Sequence, residues 1–284
     1  MSRYSIDRIS RHAVSVFGIA AFLILVFIGI FILKESSPAL WEVGITDILL
    51  RTEWYPSREA FGILNMLIGS VATTLLALVI AVPLSVGCAI FLAEVAPPHI
   101  RELARPAVDL LVGIPSVVYG LVGMIVLCPF IASLSGSGSG SSVLAAAIIL
   151  AIMVLPTIIS ISEDSIRAVP AQHKEGSLAL GATHWQTIYL VLLPAARRGI
   201  IAAVILGTGR AIGETMAMIM VIGNSPIFPA TIFGPARTLT GNIALEISYA
   251  TGIHESVLFV TGLVLFILVM LINSIGLIAY RGNS

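Results

Sequence analysis

Charge is scarce in this chain. Of its 284 residues only 11% are Asp, Glu, Lys or Arg, against about 25% in soluble domains. Fifteen basic residues balance fifteen acidic ones, so no net field points to nucleic acid. There are two cysteines, Cys88 and Cys128. They give no disulfide framework and read as small buried hydrophobes. The sequence contains no G-x-x-x-x-G-K-[ST], so ATP chemistry has to come from another polypeptide. It also lacks H-E-x-x-H and G-x-S-x-G, the usual signatures of a membrane-embedded hydrolase. The histidines, His12, His99, His173, His184 and His254, fall at span edges or in connections. None has metal-ligand spacing, so each reads as solvated or interfacial and no metal site is expected.

What the chain has instead is apolar sequence. Hydrophobic residues make up 58%, and the mean hydropathy is +1.06. A span needs about 20 mostly apolar residues. Six segments qualify: 13–33, 62–93, 107–134, 142–162, 199–223 and 257–280. None alternates like a barrel strand, so the fold class is all-α, with six transmembrane helices. Pro83 and Pro115 interrupt the second and third spans, and a kink or break is expected at each. Residues 13–33 read as a retained anchor. Their 21 apolar residues exceed a signal peptide's apolar core, and Lys34-Glu35 follows where small residues should.

Basic residues orient the bundle. Ten lie on one side: Arg3, Arg8 and Arg11 in the N-terminus, Arg101 and Arg105, the group from Arg167 to Arg198, and Arg281. Four, Lys34, Arg51, Arg58 and Arg237, lie on the other. Both termini are therefore expected in the cytoplasm. The connections 34–61, 135–141 and 224–256 are expected outside, with "SGSGSGS" at 135–141 a flexible linker.

The connection between the fourth and fifth spans is too patterned for a loop. Pro170 can open a helix, residues 171–180 favour one, and Gly181 stops it. Thr183 and Gln186 make a capping box for a second helix, which Pro194 should close. The pair exposes Leu178 and Leu180. Two readings stand on the residues alone, a docking site for a partner or an amphipathic element on the lipid surface.

The fifth span holds "GTGRAIGETMAM", with Arg210 near mid-membrane, about 16 Å along the helix from Gly199. A charge there costs roughly 2.5–3.5 kcal/mol on insertion scales. Glu214, four residues on, should share the face of Arg210 with the small residues Ala203, Gly207 and Ala217. Gly209 and Gly213 have the spacing for close helix packing. One reading is an ion pair that locks helices. The other is an anion path, in which the guanidinium fork takes an oxyanion bidentately and Glu214 accepts the hydroxyl of a protonated one. Asp109 reads as interfacial near Arg105. Asn65, Ser116 and Thr215 read first as backbone-satisfying groups.

The stretch "EGSLALGATHWQTIYLVLLP" resembles the EAA loop of ABC importer permeases. Glu175, Gly181, Leu193 and Pro194 stand at the motif's spacings, and Gly176 and Ser177 replace its two alanines. The stretches "GIPSVVYGLVG" (113–123), "PAARRGIIAAVILGTGRAIGETMAMIMVIGN" (194–224) and "PARTLTGNIALEI" (235–247) are similar to C-type permease subunits of bacterial phosphate importers. The resemblance implies a type I importer fold, with residues 1–61 as anchor and extracytoplasmic segment and 62–284 as the permease domain. It implies a coupling element at about 171–194, where Glu175, Gly181, Leu178 and Leu180 meet the ATPase. Arg210 and Glu214 are then the substrate path for inorganic phosphate. Implied partners are an A-type sister permease, a dimeric ATPase holding ATP and Mg, an extracytoplasmic phosphate-binding protein and membrane lipid. The place implied is a bacterial or archaeal cytoplasmic (inner) membrane. Rivals are a permease for molybdate, tungstate or sulfate, an ion-coupled secondary transporter and a membrane scaffold.

Overall fold

The computed structural model describes residues 3–136 and 138–281. It is helical apart from one small antiparallel hairpin, β1 (Trp54–Tyr55) and β2 (Ala60–Phe61). The helices are α1 (Arg3–Ala39), α2 (Ile45–Leu50), α3 (Leu64–Ile90), α4 (Pro98–Val112), α5 (Ser116–Val122), α6 (Cys128–Ser135) and α7 (Val143–Arg167). They continue with α8 (Ala171–Ala179), α9 (His184–Thr187), α10 (Leu193–Gly213), α11 (Met216–Val221), α12 (Leu239–Glu246) and α13 (Ile253–Arg281). Widened π turns at Leu40–Gly44, Phe91–Val95, Gly123–Leu127 and Ile188–Leu192 join several of these without a break.

Six helical stretches among the described residues are long and apolar enough to cross a membrane: Ser10–Leu50, Leu64–Val95, Ser116–Ser135, Val143–Arg167, His184–Gly213 and Ile253–Gly276. At the centre lies α7, the most buried of them. Around it α3, α10 and α11 bring Ala77, Ala81, Ala203 and Ala217 against Ala146, Leu150 and Val154. Lipid gives helices no hydrophobic reason to associate, so close van der Waals packing of small residues holds such a bundle. Gly207 shows the fit: a Cβ there would lie 2.7 Å from Ile158 Cγ1. By contrast α1 turns Phe17, Ile24 and Phe27 outward along its length and meets α13 through an edge-to-face pair, Phe31 and Phe259.

Of the kink or break expected at Pro83, no break occurs: Pro83 lies inside α3 without ending it, where packing on α7 and the Ser85 bond to the Leu155 carbonyl support the helix. Two further expectations change. The third span begins at Ser116, not 107. Residues 107–112 instead finish α4, which carries Arg101, Arg105 and Asp109, and the chain breaks before Pro115 because α geometry is disfavoured there. The serine–glycine stretch leads into a fixed end. Ser142 caps α7 by accepting from Ala145 N, and its own N–H reaches the Val221 carbonyl. Cys88 is exposed, not buried, because it shares with Leu84 and Phe91 a helical stripe that faces outward.

Candidate functional site

The fifth span does not run through as one helix. It ends at Gly213, Glu214 is extended (φ −66°, ψ 130°), and α11 restarts at Met216. Glu214 therefore does not share a continuous helical face with Arg210, as the spacing suggested. Its Oε1 accepts the backbone N–H of Thr215 (3.1 Å) and of Ala217 (3.2 Å). The carboxylate thus sits at the positive end of a half-helix, where a negative charge is favoured. Arg210 donates to Thr157 Oγ1 on α7, at 3.3 Å. Among the described residues Arg210 and Glu214 form no ion pair with each other or with other side chains.

A small cavity lies beside this break, lined by Ser70, Thr73 and Thr74 of α3, by Glu214 and Met218, and by Thr238 before α12. Thr73 Oγ1 is buried there without a hydrogen-bond partner among the described residues. Thr240 Oγ1 donates to the Glu214 carbonyl, which ties α12 to the break. Ala203, Gly207 and Ala217 are buried, as small residues packed on neighbours. Gly209 and Gly213 are not packing positions within this chain: no atom lies within 4 Å of where their Cβ would stand. They leave an open lane next to Arg210.

The connection between the fourth and fifth spans is a helix–turn–helix. After α8, Gly181 takes φ +86°, which suits glycine. Thr183 and Gln186 form both bonds of the capping box. Leu180 is 90% exposed, and Leu178, Glu175 and Trp185 are exposed too. Pro194 does not close the second helix. The chain passes from α9 through the π turn into α10, and Pro194 falls in the first turn of α10, where its missing N–H is tolerated. This element is therefore continuous with the helix that carries Arg210.

Around it lies a charged network. Glu163, 1% exposed, pairs with Arg167 (2.7 Å) and Arg105 (3.6 Å), and Arg105 also binds Asp164. The Asp164 hydrogen bond is the main cause that raises the Arg105 pKa above its ordinary value. Asp109 accepts from Ser160 Oγ and lies near Arg105, as expected. Asn65 satisfies the Thr52 and Pro226 carbonyls.

Sequence reasoning missed a second network at the opposite end. Glu246, 5% exposed, accepts Trp54 Nε1 (3.0 Å) and Arg237 Nη1 (2.6 Å) and pairs with His254 Nε2 (2.9 Å). His254 is half-buried against Trp54 and Phe61, not solvated. The signal was a lone acidic residue in "NIALEIS", in a segment with aromatic partners far away in sequence. Among the described residues no group of His, Cys, Asp and Glu is placed to hold a metal.

Residues 85–282 match the family described as binding-protein-dependent transport system inner membrane component. The chain is 43% identical over 258 residues to the probable ABC transporter permease protein YqgH of Bacillus subtilis, covering 88% of this chain and 81% of that one. It is 33% identical over 294 residues to the phosphate transport system permease protein PstC of Pasteurella multocida, covering 97% and 92%. The Mesorhizobium japonicum protein of the same name is 39% identical, covering 90% and 85%. In fold it is similar to a chain of a bacterial ABC transporter involved in import of the acidic polysaccharide alginate, with TM-score 0.66, 14% identity and coverage of 99% and 100%. A chain of the inward-facing MetNI methionine ABC transporter gives TM-score 0.58 at 22% identity, covering 82% and 100%.

Proposed function

The chain belongs to the binding-protein-dependent transport system inner membrane components, the permease subunits of ABC importers, and from that premise we propose that it forms half of a passage for inorganic phosphate. It is an integral inner-membrane permease and not an enzyme. ATP hydrolysis belongs to a separate ATPase subunit, and delivery belongs to a binding protein. Phosphate as substrate is supported by the relatives named as phosphate transport permeases.

The observation that carries the site is Arg210. This guanidinium lies within a span, has no ion-pair partner among the described residues and borders the lane left by Gly209 and Gly213. A planar fork of donors suits a passing phosphate. Glu214 keeps Oε1 on the α11 amides and offers Oε2 to the hydroxyl of hydrogen phosphate. It would repel an oxyanion that carries no proton. The buried hydroxyl of Thr73 is a further donor.

The remaining assignments belong to the same reading. An A-type sister permease completes the lane. A pair of ATPases with ATP and Mg engages Glu175, Leu178, Leu180 and the Gly181 turn. The extracytoplasmic partner is a phosphate-binding protein. Both termini lie in the cytoplasm, and residues 1–61 form the anchor and outer segment of a permease domain at 62–284.

The test is phosphate uptake per assembled complex, with ATP hydrolysis measured against phosphate, sulfate, molybdate and tungstate. Arg210→Ala abolishes uptake while assembly persists, and Arg210→Lys restores it in part, because an ammonium lacks the bidentate fork. Normal uptake by Arg210→Ala would remove it from the path. Stimulation by another oxyanion alone would replace phosphate as the cargo.

A further inference from the structure

We propose that the ion pair between Lys174 and Glu94 is the link through which the cytoplasmic helix–turn–helix moves α3, making both positioning residues for transport. The proposal rests on the coupling role given to that element. Lys174 lies on α8, next to Glu175. Its Nζ leaves the element and donates to Glu94 Oε2 in the π turn that ends α3. Side-chain exposure at Glu94 is only 10%. With Lys174 at 37%, it is the buried carboxylate that sets the pair apart from a bridge exposed on both sides, which is worth little.

The turn that carries Glu94 is built to receive a pull. Its carbonyls are gathered by two arginines from different helices. Arg101 of α4 donates to the Leu92 and Ala93 carbonyls, and Arg167 of α7 donates to the Leu92 carbonyl. A π turn is rare within a helix and recurs at functional sites. Next to it, Ala89, Ile90 and Ala93 pack with Ile166, Leu193 and Ala196, so the end of α3 touches both flanks of the coupling element.

The far end of α3 bears on the transport site. Ser70, Thr73 and Thr74 line the cavity at Glu214. At 1.5 Å per residue, the helix from Glu94 back to Thr73 spans about 30 Å. One continuous helix, α3, therefore joins the coupling element to the helix break. It runs in parallel with the covalent route through α9 and α10. Two helices driven from one element can move against each other, and the cavity between them can change shape.

The experiment uses the whole transporter in proteoliposomes and measures inorganic phosphate taken up per ATP hydrolysed. Glu94→Lys and Lys174→Glu each lower this ratio about tenfold, a size expected for a coupling contact. The exchange Glu94→Lys with Lys174→Glu brings it back, and Lys174→Arg keeps it. A wild-type ratio in either single reversal, or an exchange no better than the single changes, overturns the proposal. Should a reversal prevent assembly, Glu94→Gln and Lys174→Gln supply the measurement, with a reduced ratio expected and an unchanged one fatal. Leu180→Asp separates the two readings. If it uncouples while the Glu94 and Lys174 variants do not, only the ion pair fails. If Leu180→Asp leaves ATPase binding and the ratio intact, the coupling role itself fails.

Discussion

The Glu214 carboxylate accepts the backbone amide of Ala217, 3.2 Å away, and so closes the first turn of α11 from inside the break that precedes it. The acid is engaged by a helix end rather than by Arg210. Glu214→Ala is therefore expected to cost about 1 kcal/mol, as loss of a cap does, and Glu214→Gln less, since an amide oxygen still accepts. Thermal unfolding of the purified complex measures both. The exchange Arg210→Glu with Glu214→Arg restores neither stability nor uptake, because an arginine cannot accept from Ala217. Recovery by the exchange would show that the two residues act as a simple pair.

Glu246 anchors the second network. Removing one member of a buried charged pair strands the other at a cost of about 3–5 kcal/mol. Glu246→Ala and Arg237→Ala are each expected to fall in that range. The exposed pair Asp47–Arg51 gives the contrast, with Asp47→Ala costing about 0–1 kcal/mol. Apparent melting temperatures in one detergent rank the three variants.

Gly181 is free of neighbours but not of conformational demand. At φ +86° any L side chain is strained, by roughly 1–2 kcal/mol. Gly181→Val is expected to leave insertion intact and to weaken retention of the ATPase, with Gly181→Asn milder because Asn tolerates positive φ. Co-purification of the ATPase with each variant checks the order.

Two glycines of the serine–glycine stretch should behave oppositely. A Cβ on Gly140 would lie 1.8 Å from the Cys128 carbonyl oxygen, at a φ of +67°. Gly140→Ala must displace the turn that seats Ser142, and a marked loss of melting temperature is expected. Gly138 has nothing within 4 Å, so Gly138→Ala should change stability by no more than about 0.5 kcal/mol.

Much of this molecule was legible in the sequence because lipid imposes a simple rule: a span must be apolar, long and helical. The same holds for the helix–turn–helix at 171–187, where Thr183, Gln186 and Gly181 act through local geometry alone. The break at Glu214 was not legible. Apolar composition continues through Met216–Val221, and an acid that caps a half-helix looks like an acid on a full one. Nor could the Glu246 network be read, since Trp54 lies 192 residues away. The pairing of Lys174 with Glu94 likewise depends on how α3 ends against the helix–turn–helix.

The π turns at Gly123–Leu127 and Ile188–Leu192, with helix on both sides, each amount to one residue inserted into a helix. One residue of an α-helix turns about 100°, so relaxing either to an ordinary α turn with its residues kept would rotate all that follows by about that angle. The spans interrupted by these turns therefore carry stored offsets in phase. Their two halves can be reset against one another by gaining or losing a single position, so the inner and outer faces of one membrane helix are open to change independently.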